Sequence, residues 1–302
     1  PGPPPRVFAF LSRAGGSELT HLRRFGSRIS VLAPNWYELQ QSTLTLTGGP
    51  TPQVVALARQ DGIGLWPVVN AQLTSGAVLA TAPARARIAA AVAAEAAVRG
   101  YAGMTLDIEQ LPVAQSRAYT ELVRLLAARL HAQGEQLAVY VPRRTADGGD
   151  TAYDWRHLAQ AVDVLIASGY DEHAAGTRPG PVTTAAGFER MLKYADGVSL
   201  RKIAPAIGAF GYSWPIGGGE GVLLSTLAAQ QQRRMAGVAL RGAGGDASYR
   251  VGGHVVHYQT GIALVARARD ARAAGMHWLA LFSLGREPDW FWSHVRTWRQ
   301  RR

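Results

Sequence analysis

The segment Tyr101-Ala-Gly-Met-Thr-Leu-Asp107-Ile-Glu109 is an apolar run that ends in two carboxylates two residues apart. In a β-strand successive side chains alternate faces, so Thr105, Asp107 and Glu109 share one face, and Met104, Leu106 and Ile108 share the other. Two carboxylates about 7 Å apart on one partly buried face raise the pKa of at least one of them. A raised carboxyl pKa is what a general acid requires. The plainer reading of a bare Asp-x-Glu is a strand cap paired with surface arginines, and the rest of the chain bears on the choice.

Elements must hold these acids in place. Eight short apolar runs bounded by turn residues recur at 7–11, 29–33, 64–70, 103–109, 137–142, 162–170, 203–210 and 277–285. Between them lie helical patterns, clearest at 83–99, 113–133, 183–194 and 259–274. Strands alternating with helices predict parallel pairing with right-handed crossovers. Eight such units predict an α/β fold, a closed (β/α)8 TIM barrel whose strands are apolar on both faces. The 302 residues suit one such domain spanning 1–302. The glycine-rich stretch between the seventh and eighth strands is too long for a βα loop. It predicts a small insertion at 211–257 packed on the barrel rim, with a helix at 223–235 and a hairpin near 248–257. Residues 43–52 read as a polar loop.

Barrel sites lie at the C-terminal ends of strands. There the sequence places Trp36, Asn70, Asp107, Glu109, Tyr140, Arg143, Tyr170, Asp171, Glu172, His173, Tyr212, Trp214 and Phe282. Aromatic faces beside carboxylates and amides suit a sugar site, since pyranose rings stack on apolar faces and their hydroxyls need directional partners.

Composition narrows the classes further. The chain has no cysteine, which excludes disulfides, thiol catalysis and thiolate zinc sites. Its eight histidines lack a recognisable ligand spacing, so neither metal nor other cofactor is expected. Apolar residues make up 47% of the chain, yet no run reaches the roughly 18 residues of a membrane span. The net charge of +11 could serve an anionic partner. Lys193 and Lys202 are the only lysines, however, and Arg299-Gln-Arg-Arg302 is the densest basic block, so a nucleic-acid partner is not expected. The start Pro1-Gly-Pro-Pro-Pro5 lacks a methionine and reads as a mature form or piece, with a leader, membrane anchor or fused segments lying outside it.

Several motifs in order carry a family resemblance. Gly103-Met-Thr-Leu-Asp107-Ile-Glu109 resembles the fourth-strand signature of glycoside hydrolase family 18, Asp-Gly-x-Asp-x-Asp-x-Glu. The similarity runs along nearly the whole chain toward a bacterial branch. That branch holds spore-cortex-lytic enzymes and glycosidase-like domains fused to polysaccharide deacetylases or glycosyltransferases. Pro34-Asn35-Trp36, Tyr170-Asp171-Glu172-His173, Pro179-Gly-Pro181, Ile207-Gly208-Ala-Phe-Gly-Tyr212-Ser-Trp214 and Leu284-Gly285-Arg-Glu287-Pro288 look like its further motifs.

The resemblance implies a retaining mechanism in which the substrate's 2-acetamido oxygen is the nucleophile, an exception to the two-carboxylate scheme. It implies that Glu109 protonates the leaving oxygen and then activates water. Asp107 would hold the acetamide N–H and raise the pKa of Glu109, Tyr170 would bond the acetamide oxygen, and Asp171 would support Tyr170 or a sugar hydroxyl. The implied substrate is a polysaccharide with N-acetylated amino sugars, such as peptidoglycan, chitin-like oligomers or exopolysaccharide. The implied location is the cell envelope, periplasmic or extracellular. Trp36, Asn70, Tyr140, Asp171, Glu172, His173, Tyr212, Trp214 and Phe282 would line the substrate, with Arg143, Glu172 and His173 able to select an acidic substituent. Three departures stand out. Ala102 and Thr105 replace the first two aspartates, leaving Thr105 to hydrogen-bond Asp107, and Phe282 replaces the tryptophan that floors the family's subsite. They keep open an alternative, a carbohydrate-binding barrel with weak or no turnover.

Overall fold

The computed structural model describes residues 5–12, 14–75, 77–146, 151–242 and 247–295. The proline-rich start, most of Gly242-Ala-Gly-Gly245 and the basic end Arg299-Gln-Arg-Arg302 therefore lie largely or wholly outside the described residues. Barrel strands β1 (Arg6–Leu11), β2 (Val31–Gln40), the pair β4 (Gly64–Leu65) and β5 (Val68–Gln72), β6 (Gly103–Glu109), β7 (Gln136–Val141), β8 (Val164–Ser168), β9 (Ile203–Gly208) and β14 (Trp278–Phe282) pair in parallel. The pairing of β14 with β1 closes the ring, making a (β/α)8 TIM barrel. Helices α1 (Gly16–Phe25), α2 (Pro52–Gln60), α3 (Ala82–Arg99), α4 (Ser116–Ala132), α5 (Trp155–Ala161), α6 (Ala185–Asp196) and α8 (Gly261–Ala273) fill the crossovers, and α9 (Phe291–His294) follows the last strand. Among the described residues no helix is long and apolar enough to cross a membrane.

Alternation sorts the strand residues into two buried layers. Phe8, Phe10, Val31, Ala33, Val68, Ala138, Val164, Ile166, Ala204 and Ala280 fill the barrel, with Trp66 set edge-on to Phe8 at 5.8 Å. Val7, Ala9, Leu32, Met104, Leu106, Ile108, Val139, Leu165 and Leu281 face the helices, meeting Leu22, Val92, Leu126, Leu158 and Leu264. Gly103 lets β6 enter this packing, because a Cβ there would stand 2.5 Å from the Gln136 carbonyl oxygen.

The structure redraws several expected elements. β2 continues past residue 33 to Gln40, so Asn35 and Trp36 lie within it, and residues 45–48 of the expected polar loop form β3 (Thr45–Gly48), antiparallel to its end. The third strand breaks at Trp66-Pro67, where proline has no N–H to give the ladder. In the insertion, the expected helix starts later, as α7 (Thr226–Met235), capped by Ser225 Oγ accepting from Ala228 N at 3.0 Å. Residues 222–225 instead form β11 (Val222–Ser225). With β10 (Phe210–Pro215), β12 (Ala247–Val251) and β13 (His254–Tyr258) it builds an antiparallel sheet in the order β11-β10-β13-β12.

After β14, a buried carboxylate ties α1 to α9. Glu287 is fully buried and accepts hydrogen bonds from Trp292 Nε1 (2.8 Å), Arg286 N (3.1 Å) and His21 Nδ1 (2.8 Å). His21 Nε2 faces Asp289 at 3.0 Å. Burial disfavours the charged ring, but the bond to Glu287 and the two acids outweigh it and raise the pKa of His21. Glu287→Leu strands three buried donors and is expected to cost about 3 kcal/mol or more in unfolding free energy by urea titration, with Glu287→Gln losing less.

Candidate active site

β6 ends in the acids because its register leaves no alternative. Asn70 on β5 pairs with Asp107, and the pairing of Leu106 with Val139 toward β7 sets Tyr140 beside Asp107 on the other side. At the C-terminal mouth of the barrel these side chains meet Glu109, Tyr170, Asp171, Tyr212, Phe282, Asn35, Phe10, Phe210 and Leu223 around a cavity of about 370 Å³. That volume falls within the roughly 300–1,000 Å³ of small-molecule sites. A hollow of similar size at the opposite end, beside Arg59, Arg99 and Tyr101, has no acid in its lining.

Burial raises the carboxyl pKa values. Asp107 is pushed up to about 8, first by burial and then by the charge of Glu109. Glu109 is raised by burial. The two acids repel each other, and Asp107 is the more enclosed of the pair. Asp171 is pushed up to about 6 by burial, opposed by a hydrogen bond from Tyr212 and assisted by the charge of Glu109. Tyr212 Oη donates to Asp171 Oδ1 at 3.4 Å, and Asp171 adopts φ +61°, a left-handed backbone that non-glycine residues seldom take. Among the described residues, Asp107 Oδ1 is closed off from solvent and has no hydrogen-bond partner, while the side chain as a whole is half-buried and lines the cavity. Thr105 does not fill the gap, contrary to expectation. Its hydroxyl donates to the Trp66 carbonyl at 2.8 Å, deeper in the barrel.

Aromatic rings form the floor. Phe282 lies 5.5 Å from Phe10, 5.9 Å from Tyr170 and 5.9 Å from Phe210, centroid to centroid. Tyr170 is buried, and its ring meets Phe210 edge-on at 5.3 Å.

Eight of the twelve residues picked from sequence come together here: Asn70, Asp107, Glu109, Tyr140, Tyr170, Asp171, Tyr212 and Phe282. Four lie outside the cavity lining. Trp36 turns away from it and packs on Tyr101 at 6.0 Å. Trp214 is fully buried behind Tyr212, with Nε1 donating to the Ala175 carbonyl at 3.3 Å. Glu172 accepts from Thr184 N at 3.0 Å and pairs with Arg143 at 3.1 Å, so the two charges answer each other instead of a substrate. His173 Nδ1 donates to the Arg178 carbonyl at 3.0 Å. Phe10 was missed, and Asn35, at the expected end of the second strand, was passed over in favour of Trp36, although parity finds both: Val31 and Ala33 face the barrel interior, so Asn35 does too, and Trp36 cannot. Leu223 comes from the insertion, where sequence expected a helix.

No family model matches the chain. A curated relative, the putative sporulation-specific glycosylase YdhD of Bacillus subtilis, is 33% identical over 135 residues, 44% of this chain and 32% of that protein. The chain thus aligns with about a third of that relative's length. Among solved structures, a chitinase from Chromobacterium violaceum superposes with a TM-score of 0.85 at 24% identity, covering 96% of this chain and 98% of its own. The spore cortex-lytic enzyme SleL of Bacillus cereus superposes at 0.83 with 18% identity, covering 98% and 74%. A family 18 chitinase from Cycas revoluta, solved in complex with (GlcNAc)4, superposes at 0.80 with 17% identity, covering 96% and 98%. The chain shares the fold of these enzymes.

The folded protein keeps a proton on Asp107 that the unfolded chain releases at ordinary carboxyl pH. This group therefore favours folding at low pH, and its contribution is lost as pH rises toward about 8. Asp107→Asn is expected to match the native protein's stability near pH 4 and exceed it by about 2 kcal/mol at pH 8, measured by urea titration at both values.

Proposed function

We propose that the chain is a glycoside hydrolase of family 18 that cleaves β-linked N-acetylglucosamine polymers with retention of configuration, acting outside the cytoplasm at the cell envelope. The observation that carries this is the acid pair at the end of β6. Glu109, its carboxyl pKa raised by burial, faces a cavity of sugar size beside Asp107, whose side chain lines the same cavity. The fold shared with chitinases and a spore cortex-lytic enzyme, and the (GlcNAc)4 bound to one of them, support the substrate class.

In the first step the acetamido carbonyl oxygen of the substrate attacks its own anomeric carbon. The bond from that carbon to the leaving oxygen breaks, and Glu109 gives its proton to the leaving oxygen. Asp107 Oδ2 accepts a hydrogen bond from the acetamide N–H, favouring the positive charge that develops on the oxazolinium ring, and the Tyr170 hydroxyl donates toward the acetamide oxygen. In the second step water attacks the anomeric carbon on the vacated face while the Glu109 carboxylate takes its proton. The acetamide is restored. Phe282 offers the sugar a flat apolar face, and Tyr212 and Asn70 line the cavity around its hydroxyls. The scheme needs no metal or cofactor. Thr105, turned toward Trp66, favours a second reading in which the barrel binds glycan without turnover.

Incubation with peptidoglycan and N-acetylglucosamine oligomers, read by mass spectrometry, tests the proposal. Native protein is expected to release fragments, and Glu109→Gln to lose at least a thousandfold in rate while still binding. Glucosamine oligomers should remain whole, since they lack the internal nucleophile. Intact polymer with the native protein, alongside measurable binding, would overturn turnover in favour of the binding barrel.

A further inference from the structure

We propose that Glu172 is the positioning residue for Asp171: its carboxylate fastens the loop after β8 to the start of α6 and to Arg143, and so holds Asp171 in the backbone conformation that places it in the cavity lining. The clamp itself is independent of the function proposed above, and its effect on catalysis rests on that reading.

Little around the Asp171 side chain fixes it. The residue is exposed at the edge of the cavity, and its carboxylate receives a long hydrogen bond from Tyr212 Oη at 3.4 Å. Its φ of +61° is a left-handed conformation, which persists in a non-glycine residue only where the surroundings over-determine it. The determinants therefore lie on its two flanks. On the N-terminal side, Ser168 Oγ accepts from Tyr170 N at 3.4 Å and donates to the Tyr170 carbonyl at 3.3 Å. On the C-terminal side, Glu172 N donates to the Val182 carbonyl at 2.9 Å, and the Glu172 carboxylate gathers the residues that follow Val182. Its Oε1 accepts from Thr184 N at 3.0 Å and from Thr183 Oγ1 at 3.3 Å, and its Oε2 accepts from Thr184 Oγ1 at 3.0 Å. Arg143 Nη2 stands 3.1 Å from Oε1, with both side chains of that pair mostly buried.

The sequence makes room for this clamp at Gly187, near the start of α6. Glycine within a helix ordinarily destabilises it relative to alanine, and here it supplies space. A Cβ at this position would stand 1.7 Å from Glu172 Oε1 and 2.5 Å from Arg143 Nη2. Three parts of the barrel wall thus converge on one carboxylate: the loop that carries Asp171, the first turn of α6, and Arg143 after β7. Bonds to a charged carboxylate are among the stronger hydrogen bonds, and Arg143 loses its counter-charge if the carboxylate goes. Removing it frees the C-terminal flank of Asp171. The backbone there then relaxes to negative φ and turns the Asp171 side chain out of the cavity.

Glu172→Ala and Gly187→Ala release the clamp by different routes. The second displaces only the flexible end of Glu172, which makes it the variant to rely on should Glu172→Ala fail to fold. Crystal structures of the two are expected to show residue 171 at negative φ with its carboxylate outside the cavity, and a φ still near +61° would overturn the proposal. On N-acetylglucosamine oligomers each should lose about tenfold or more in kcat/KM, since a small misplacement of a site residue is costly. Glu172→Gln keeps an oxygen acceptor for Thr184 N and should lose less than either. In an Asp171→Ala background the loss from Glu172→Ala should shrink to less than about twofold, because the residue it positions is gone. A loss that persists in full there means that Glu172 serves the fold alone, and the assignment falls. If native protein binds the oligomers without cleaving them, the same cycle is read in Kd by calorimetry. If φ at residue 171 changes as expected while native protein neither cleaves nor binds, the hydrolase reading fails and the clamp stands.

Discussion

Two carboxylates held together at the end of a buried strand are the constraint that the barrel mouth is built around. A lone β6 could not keep Asp107 and Glu109 there, since each acid loses hydration and the pair repels. The strand pays with apolar residues below: Met104, Leu106 and Ile108 lock one face into the helical layer, and Thr105 hydrogen-bonds the Trp66 carbonyl on the other. The acids cannot swing outward without breaking that packing. Their discomfort is met by proton retention, most strongly at Asp107, and by surrounding phenols that respond to charge without carrying any near neutrality.

The departures from the usual residues of the family that the chain resembles look different in three dimensions than in a row of letters. An alignment presents Thr105 as a missing acid. In the fold it is a residue whose hydroxyl has been drawn into barrel packing, leaving one oxygen of Asp107 without a partner. Similarly, Phe282 is smaller than the tryptophan it replaces, yet it sits in a continuous aromatic cluster with Phe10, Tyr170 and Phe210 that keeps the floor apolar. Glu172 and Arg143, striking as charges near strand ends, neutralise each other while holding the start of α6.

Much of this was legible because it follows from parity and period. Alternation along 103–109 separates the acids from the core residues, and the recurrence of strand and helix patterns gives the barrel. Parity was also the signal left unused at Asn35. Continuing β2 past Ala33 puts Asn35 inside and Trp36 outside, but the apolar run ends at Ala33, and the proline that follows is a residue rare within sheets. Leu223 was illegible for a different reason. A sequence such as Val222-Leu-Leu-Ser225 suits a helix start as well as a strand, and only pairing with β10 decides between them. Nor could sequence tell that Glu172 and His173 point into their own loop, because a loop's hydrogen bonds depend on segments far away in the chain.

Closure of the barrel through β1 and β14 has a consequence for how the chain reaches this state. Val7 and Leu279 are neighbours in the ring although they belong to its first and last strands. Until the last strand has emerged during synthesis, β1 presents an unpaired hydrogen-bonding edge, and the Glu287 hub that joins α1 to α9 does not exist. The seam is therefore among the most non-local contacts in the molecule, and such contacts form late and slowly. A barrel still lacking its final strand is open along this seam, so its exposure to misassembly depends on that interval as well as on the stability of the finished ring.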